Sequence, residues 1–183
     1  GGIGKMFLES LNYNGQVYNV DPNKNMINEG KKKFKNIDNI KWFVNSAENL
    51  KFKDNYFDFY TISFGLRNTK DVNKTLNEAY RILKPGGKII TLVPDWEVQF
   101  KTYFDDFTHR TPFTKVSLND IYLMSDYENI SVIKFRQLPI VWRLPFLNLF
   151  CAVIAPFVPI RTSNKFFKHS RELMLIGYGE KHR

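Results

Sequence analysis

At 183 residues the chain is long enough for one domain with a full core and too short for two ordinary ones. Apolar residues make up 43 % and aromatics 16 %, which excludes a disordered chain. Net charge is +9, and the single cysteine, Cys151, excludes an internal disulfide and points to a reducing, cytoplasmic setting.

Strand and helix patterns alternate along the chain. Gly4 to Asn12 carries Met6, Phe7 and Leu11 at helical spacing and is stopped by Asn14-Gly15. Gln16 to Val20 is an expected strand running into Asp21-Pro22, and Asn25 to Lys35 an expected helix with Met26, Ile27 and Phe34 inward. Strands follow at Ile40 to Val44 and Phe57 to Phe64, then a helix at Val72 to Leu83. Pro85-Gly86-Gly87 is a turn signal, and Lys88 to Val93 reads as a strand buried on both faces. Leu118 to Met124 is an expected helix with Ser117 as its cap, and Ile130 to Phe135 and Leu173 to Ile176 are the last strands. This alternation implies an α/β fold, a doubly wound and mostly parallel sheet in one domain over residues 1–183, with ligands at the carboxyl ends of the strands. A long apolar and basic insertion, residues 137–171, interrupts it, and connections of that length are usually functional.

Several residues suit a nucleotide-like ligand. Gly1-Gly2-Ile3-Gly4 before a helix lets backbone approach a ligand, although an ordinary glycine turn explains it equally well. Asp21, at the end of the second predicted strand, can accept both hydroxyls of a ribose, or cap the helix that follows Pro22. Ser46-Ala47-Glu48 would flank an adenine, or form a plain polar turn.

Two motifs narrow this. Ser63-Phe64-Gly65-Leu66-Arg67-Asn68 ends one strand, and Leu83-Lys84-Pro85-Gly86-Gly87 follows the next helix. Together they resemble class I S-adenosylmethionine-dependent methyltransferases, which are Rossmann-like. The block from Ser46 to Gly87 is similar to the ubiquinone/menaquinone ring C-methyltransferases, and the resemblance covers roughly residues 1–93. It implies S-adenosylmethionine as cofactor and a sheet of order 3-2-1-4-5-7-6. It also implies that Gly2 and Gly4 are the last glycines of an Asp/Glu-x-Gly-x-Gly-x-Gly motif, so that the first strand precedes Gly1 and the natural protein is longer. By the same resemblance, Gly2 and Gly4 would approach the methionine part, Asp21 the ribose, and Pro22, Asn23 and Met26 the adenosine. Ser46 and Ala47 would sit at the adenine, and Ser63 with Phe64 near the methyl group.

Beyond Val93 the pattern changes. Phe104-Asp105-Asp106-Phe107-Thr108-His109 and Pro112-Phe113-Thr114 resemble a methyltransferase branch acting on saccharides and small molecules. Asp105, Asp106 and His109 are the densest ionisable cluster after the fifth strand of the family order. A histidine beside carboxylates can act as a general base, or the group can simply cap a turn with His109 exposed; Tyr103 is a weaker candidate. No ligand spacing for a metal is present among three scattered histidines and one cysteine.

From Lys134 onward the chain has nine basic and two acidic residues, a net of +7. Within that region Leu144 to Ile160 is uncharged for 17 residues, short for a membrane span and broken by Pro145, Pro156 and Pro159. It is either an apolar lid over the acceptor or, with Trp142 and the basic residues up to Arg171, a peripheral contact on the inner membrane face. The expected acceptor is thus a small or lipid-linked molecule, methylated on a quinone-precursor ring carbon or on an oxygen of a sugar-like compound. The rival is a non-catalytic module of the same fold at a membrane surface. Nucleic acid is disfavoured because Gly65-Leu66 stands where base-amino methyltransferases carry an Asn/Asp-Pro-Pro-Tyr/Phe motif.

Overall fold

The computed structural model describes residues 2–10, 12 and 14–183, and of Gly2, Ile3, Gly4 and Phe7 the backbone alone. Its contacts gather into two compact units, Gly1–Phe52 and Lys53–Arg183. In the first unit, helix α1 (Gly2–Ser10) precedes two parallel strands, β1 (Val17–Asp21) and β2 (Ile40–Val44), joined through helix α2 (Lys24–Lys33). Asn23 caps α2 by accepting the backbone N–H groups of Asn25 and Met26, and three lysines in its last turn complement the helix dipole. Gly30 lets α2 approach the sheet, since a Cβ there would lie 2.3 Å from the Trp42 ring. Ile27 is buried, but its neighbour Met26 is exposed, contrary to the inward placement expected for both. The two point about 100° apart around the helix axis, and Met26 lies on the outer side of the buried stripe. Tyr18, Phe43 and Phe52 form an aromatic cluster, with Tyr18 and Phe43 stacked at 5.6 Å.

The second unit holds a four-stranded sheet of order β3-β4-β6-β5. Strands β3 (Phe57–Ser63) and β4 (Leu83–Pro94) are parallel, and β6 (Leu173–Lys181) runs antiparallel to both β4 and β5 (Tyr127–Arg136). The orders within the two sheets match the 3-2 and 4-5-7-6 portions of the expected order, and the sheet of the second unit is mixed. Helix α3 (Val72–Ile82) is capped by Asp71, which accepts the Lys74 N–H, and buries Val72, Leu76 and Ala79 against the sheet. Helix α5 (Lys115–Met124) buries Leu118 and Tyr122. Its cap is Thr114, not Ser117. Ser117 is the third helical residue and returns a bond to the Thr114 N–H, so the two form a capping box. The Lys84–Gly87 turn lies inside β4. Leu83 pairs with Phe57 and Lys88 with Phe59, so the turn is looped out of the ladder, with Gly86 at φ +74°.

Three shorter helices complete the unit: α4 (Trp96–Gln99), α6 (Pro139–Arg143) and α7 (Leu147–Ile154); a fourth, α8 (Lys165–Arg171), leads into β6. Lys181 holds β6 to the end of α3 by donating to the carbonyls of Tyr80 and Leu83, both at 2.9 Å.

Candidate active site

In the first unit, the predicted ligand residues lie where β1 and β2 end. The Asn45 N–H donates to the Asp21 carbonyl at 3.2 Å, which sets Ser46 and Ala47 beside the end of β1. Asp21 does not cap α2. Its Oδ1 accepts the Asn23 N–H at 2.8 Å and orders the Pro22-Asn23 turn, while Asn23 does the capping. The Asp21 Oδ2 has no hydrogen bond among the described residues, so an acceptor-only carboxylate stands half-exposed at the strand end. Asp21 and Met26 also border a cavity of about 320 Å³ reaching Gly30 and Trp42. Gly1 lies outside the described residues, as do the surroundings of Gly2 and Gly4, whose backbones form the start of α1.

In the second unit, a cavity of about 510 Å³ opens at the carboxyl ends of β3 and β4. Its floor begins at Phe64, directly after β3. Phe64 has φ +61°, a left-handed conformation that costs a non-glycine residue about 1–2 kcal/mol. The turn is held because the Phe64 N–H donates to the Leu92 carbonyl at 2.8 Å and because Leu66 is fully buried in the core. The ring so presented carries the Arg67 guanidinium above it, 5.1 Å from the centroid. The Ser63 hydroxyl is buried without a hydrogen-bond partner among the described residues.

Arg67 also organises the opposite wall. Its carbonyl accepts the N–H groups of Arg110 and Thr111, and Tyr103 donates its hydroxyl to the Thr111 carbonyl at 2.6 Å. Burial pushes the Tyr103 phenol up to about 12, against the pull of Arg67, so this hydroxyl stays protonated and structural. The Tyr103 carbonyl in turn receives His109 Nδ1 at 2.5 Å. A carbonyl only accepts, so Nδ1 carries hydrogen and the neutral ring keeps its lone pair on Nε2. That Nε2 is buried, makes no hydrogen bond among the described residues, and lies 3.4 Å from Asp106 Oδ2. Bonds from the Thr108 hydroxyl and N–H hold the Asp106 carboxyl below the usual carboxylate range, with His109 and Arg67 adding to them. His109 is thus enclosed rather than exposed, and it faces the Asp106 carboxylate.

Asp105 is engaged differently. Both its oxygens meet Arg161, at 3.2 Å each, in a two-pronged pair that ties the residue 103–111 loop to the insertion. From the insertion the cavity receives Ile160, Arg161, Thr162, Lys168, His169 and Glu172. Of the uncharged run Leu144 to Ile160, Ile160 alone is among the lining residues. Burial keeps the Glu172 carboxyl above its ordinary range in spite of Lys168, Arg171 and His169.

The cavity therefore gathers Phe64, Asp105, Asp106 and His109 as the sequence suggested, and adds Arg67 and His169. Arg67 Nε and Nη1 are buried with no hydrogen-bond partner among the described residues, and so is His169 Nδ1. Burial lowers the Arg67 pKa from its ordinary value, with Tyr103 and Asp106 opposing, so the guanidinium remains a cation short of partners. Arg67 stood in view within the Phe64 to Asn68 motif. His169 gave no signal, because 60 residues of chain separate it from His109. Among the described residues no cluster of three His, Cys, Asp or Glu side chains is placed to hold a metal.

Known proteins share both sequence and fold with this chain. The model of the ubiE/COQ5 methyltransferase family matches residues 1–114, running past Val93 and through the segment that resembled a saccharide branch. Ubiquinone/menaquinone biosynthesis C-methyltransferase UbiE of Rickettsia felis is 49 % identical over 90 residues, which are 48 % of this chain and 36 % of that protein. Demethylmenaquinone methyltransferase of Staphylococcus saprophyticus is 42 % identical over 102 residues, 52 % of this chain and 44 % of that protein. The matches thus span less than half the length of these relatives. Among solved structures, the YcgJ protein of Bacillus subtilis superposes with a TM-score of 0.65 at 16 % identity, covering 98 % of this chain and 88 % of that one. Phosphoethanolamine N-methyltransferase 2 of Haemonchus contortus, solved with S-adenosylhomocysteine, gives 0.67 at 18 % identity over 98 % of this chain and 46 % of that one. The chain belongs to the ubiE/COQ5 methyltransferase family and has the α/β fold of class I methyltransferases.

Proposed function

We propose that the protein transfers a methyl group from S-adenosylmethionine to a ring carbon of a quinol precursor. The observation that carries this reading is the meeting in one cavity, at the ends of β3 and β4, of His109 Nε2 and the half-buried Arg67, whose Nε and Nη1, like His109 Nε2, have no hydrogen bond among the described residues. The names of the relatives support the same acceptor class.

The bound cofactor would supply a methyl group on a sulfonium, whose carbon–sulfur bond breaks as the new carbon–carbon bond forms. The acceptor must be made nucleophilic, and here the chain's own residues act. His109 Nε2 takes the proton of a ring hydroxyl, and Asp106 stabilises the resulting imidazolium. Arg67 holds the phenolate oxygen, whose charge spreads onto the adjacent ring carbon. Phe64 offers its ring face to the flat acceptor. The ring proton then passes to solvent water as aromaticity is restored, and the imidazolium of His109 returns its proton to the ring oxygen. In the first unit, the free oxygen of Asp21 suits a ribose hydroxyl, and the Ser46-Ala47 turn an adenine edge. In the second, Ser63, whose hydroxyl has no hydrogen-bond partner among the described residues, suits with Phe64 the neighbourhood of the methyl group.

Calorimetry on the whole protein with S-adenosylmethionine, followed by labelled-methyl transfer to a demethylated quinol, tests the reading. Micromolar binding weakened by Asp21→Ala, with label on a ring carbon, is expected. No binding at millimolar cofactor would end the enzymatic reading, and label on oxygen would end the ring-carbon one.

A further inference from the structure

We propose that the insertion of the second unit is a docking face for an anionic lipid surface. The uncharged run folds into α7 and a following 3-10 turn, Ala155–Phe157, and no helix of the described residues is long and apolar enough to cross a membrane. What holds this segment down is partly polar. The buried Arg136 donates from Nε to Asn148 Oδ1 at 2.7 Å and from Nη1 to the carbonyls of Ser170 and Arg171, joining α7 to the end of α8. Leu138, Val141 and Cys151 form a small core beneath.

The apolar residues that remain point away. Phe146, Leu149, Phe150, Val153 and Phe157 recur at the spacing of one helix face, and all are exposed, Leu149 by 71 % and Phe157 by 84 %. Contiguous apolar surface of this kind marks a site of interaction. Its chemistry selects the occupant. From Leu149 to Ile160 no exposed side chain can hydrogen-bond, whereas protein–protein interfaces carry about one hydrogen bond per 100–200 Å². From residue 129 to residue 171 there is no Asp or Glu, and of the seven Lys or Arg there, Arg136 and Arg171 are buried and Lys134 and Arg161 are ion-paired, which leaves Arg143, Lys165 and Lys168 exposed for an anionic surface. A fluid hydrocarbon edge under anionic headgroups meets both features, and Trp142, fixed at the border by an Nε1–H bond to the Arg136 carbonyl at 2.7 Å, suits the interface between them.

Position adds a consequence. Ile160 and Arg161 end the apolar face and also line the cavity, so a membrane-dissolved acceptor would reach the cavity from the docked side. Lipid binding is read without methyl transfer, so its failure leaves the enzymatic reading in place.

The test is flotation of the whole protein with vesicles of equimolar phosphatidylglycerol and phosphatidylcholine, and with phosphatidylcholine alone. Binding to the anionic vesicles at about 0.1 M salt is expected to fall at least about tenfold at about 1 M salt, where the Debye length shrinks from about 10 to about 3 Å. A similar fall is expected for the double variant Leu149→Ser with Phe157→Ser, its fold checked by circular dichroism. Brominated lipid should quench the parent's fluorescence, and Trp142→Phe should abolish that quenching. Absence of binding to anionic vesicles at low salt would overturn the proposal. So would unchanged binding by the double variant, or a lipid-free dimer that the variant dissolves, which would make the occupant a second copy of the chain.

Discussion

Replacing Arg136 with Ala should loosen the insertion without unfolding the sheet. Arg136 sits buried at the end of β5, and its guanidinium joins Asn148 of α7 to the last carbonyls of α8. A hydrogen bond to a charged group contributes about 1.5–3 kcal/mol, and the variant loses one to an amide and the shared pair at the helix end. Burial lowers the pKa of this guanidinium, so the charge is costly to hold there, which moves the net loss to about 2–4 kcal/mol. For a chain of this length 1 kcal/mol corresponds to about 2–4 °C, so the melting point should fall by roughly 5–15 °C. Hydrogen exchange should accelerate most in residues 147–171. Because Thr162, His169 and Glu172 line the cavity, KM for the acceptor should rise more than kcat falls. Arg136→Lys should rescue only part, since one ammonium cannot span both the α7 and the α8 partners. A melt within about 1 °C of the parent, with exchange unchanged in residues 147–171, would refute the reasoning.

Other outcomes follow from single contacts. Asp95 is fully buried, caps α4 through the Glu97 N–H and pairs with Lys134 at 2.8 Å, so Asp95→Ala should cost about 3–5 kcal/mol in a urea melt, and Asp95→Asn less. A Cβ on Gly177 would lie 2.7 Å from Thr91 Oγ1 and 3.1 Å from the Tyr122 ring, so Gly177→Ala should destabilise by about 1–3 kcal/mol, and trimming Tyr122 to Phe should not relieve the contact with Thr91. The folded pKa of Glu172 is raised, so the folded chain binds that proton more tightly than the unfolded one. Its stabilising contribution is present below the unfolded pKa of about 4.3 and is lost as pH rises through the folded value. Glu172→Gln should therefore melt above the parent at neutral pH and level with it below about pH 4.

Much of the fold was readable because pattern and packing agree. The strand Ile40–Val44 and the face of α3 emerged at their observed places, since apolar periodicity there is also burial. The errors share a cause in long-range contacts. β6 reads as ending at Ile176 because Gly177 and Gly179 look like breakers, yet they continue the strand and make room for Tyr122. β5 begins three residues early because Asn129 at φ +49° sits in a bulge that lets Tyr127 and Glu128 rejoin the ladder. In the cavity, Asp105, Asp106 and His109 were legible as a dense cluster. That Asp105 is spent on Arg161, and that Arg67 and His169 face the same space, depends on the return of the chain through β6 and could not be read from spacing.

The central claim is that His109 draws the proton that makes the acceptor nucleophilic. The most direct measurement is kcat for labelled-methyl transfer to a demethylated quinol by the whole protein and its His109→Asn variant, with cofactor affinity measured alongside. A fall in kcat of about 10²–10⁴-fold, with cofactor affinity unchanged, is predicted. A variant with the parent's kcat, or a loss of rate traced wholly to cofactor binding, would contradict it.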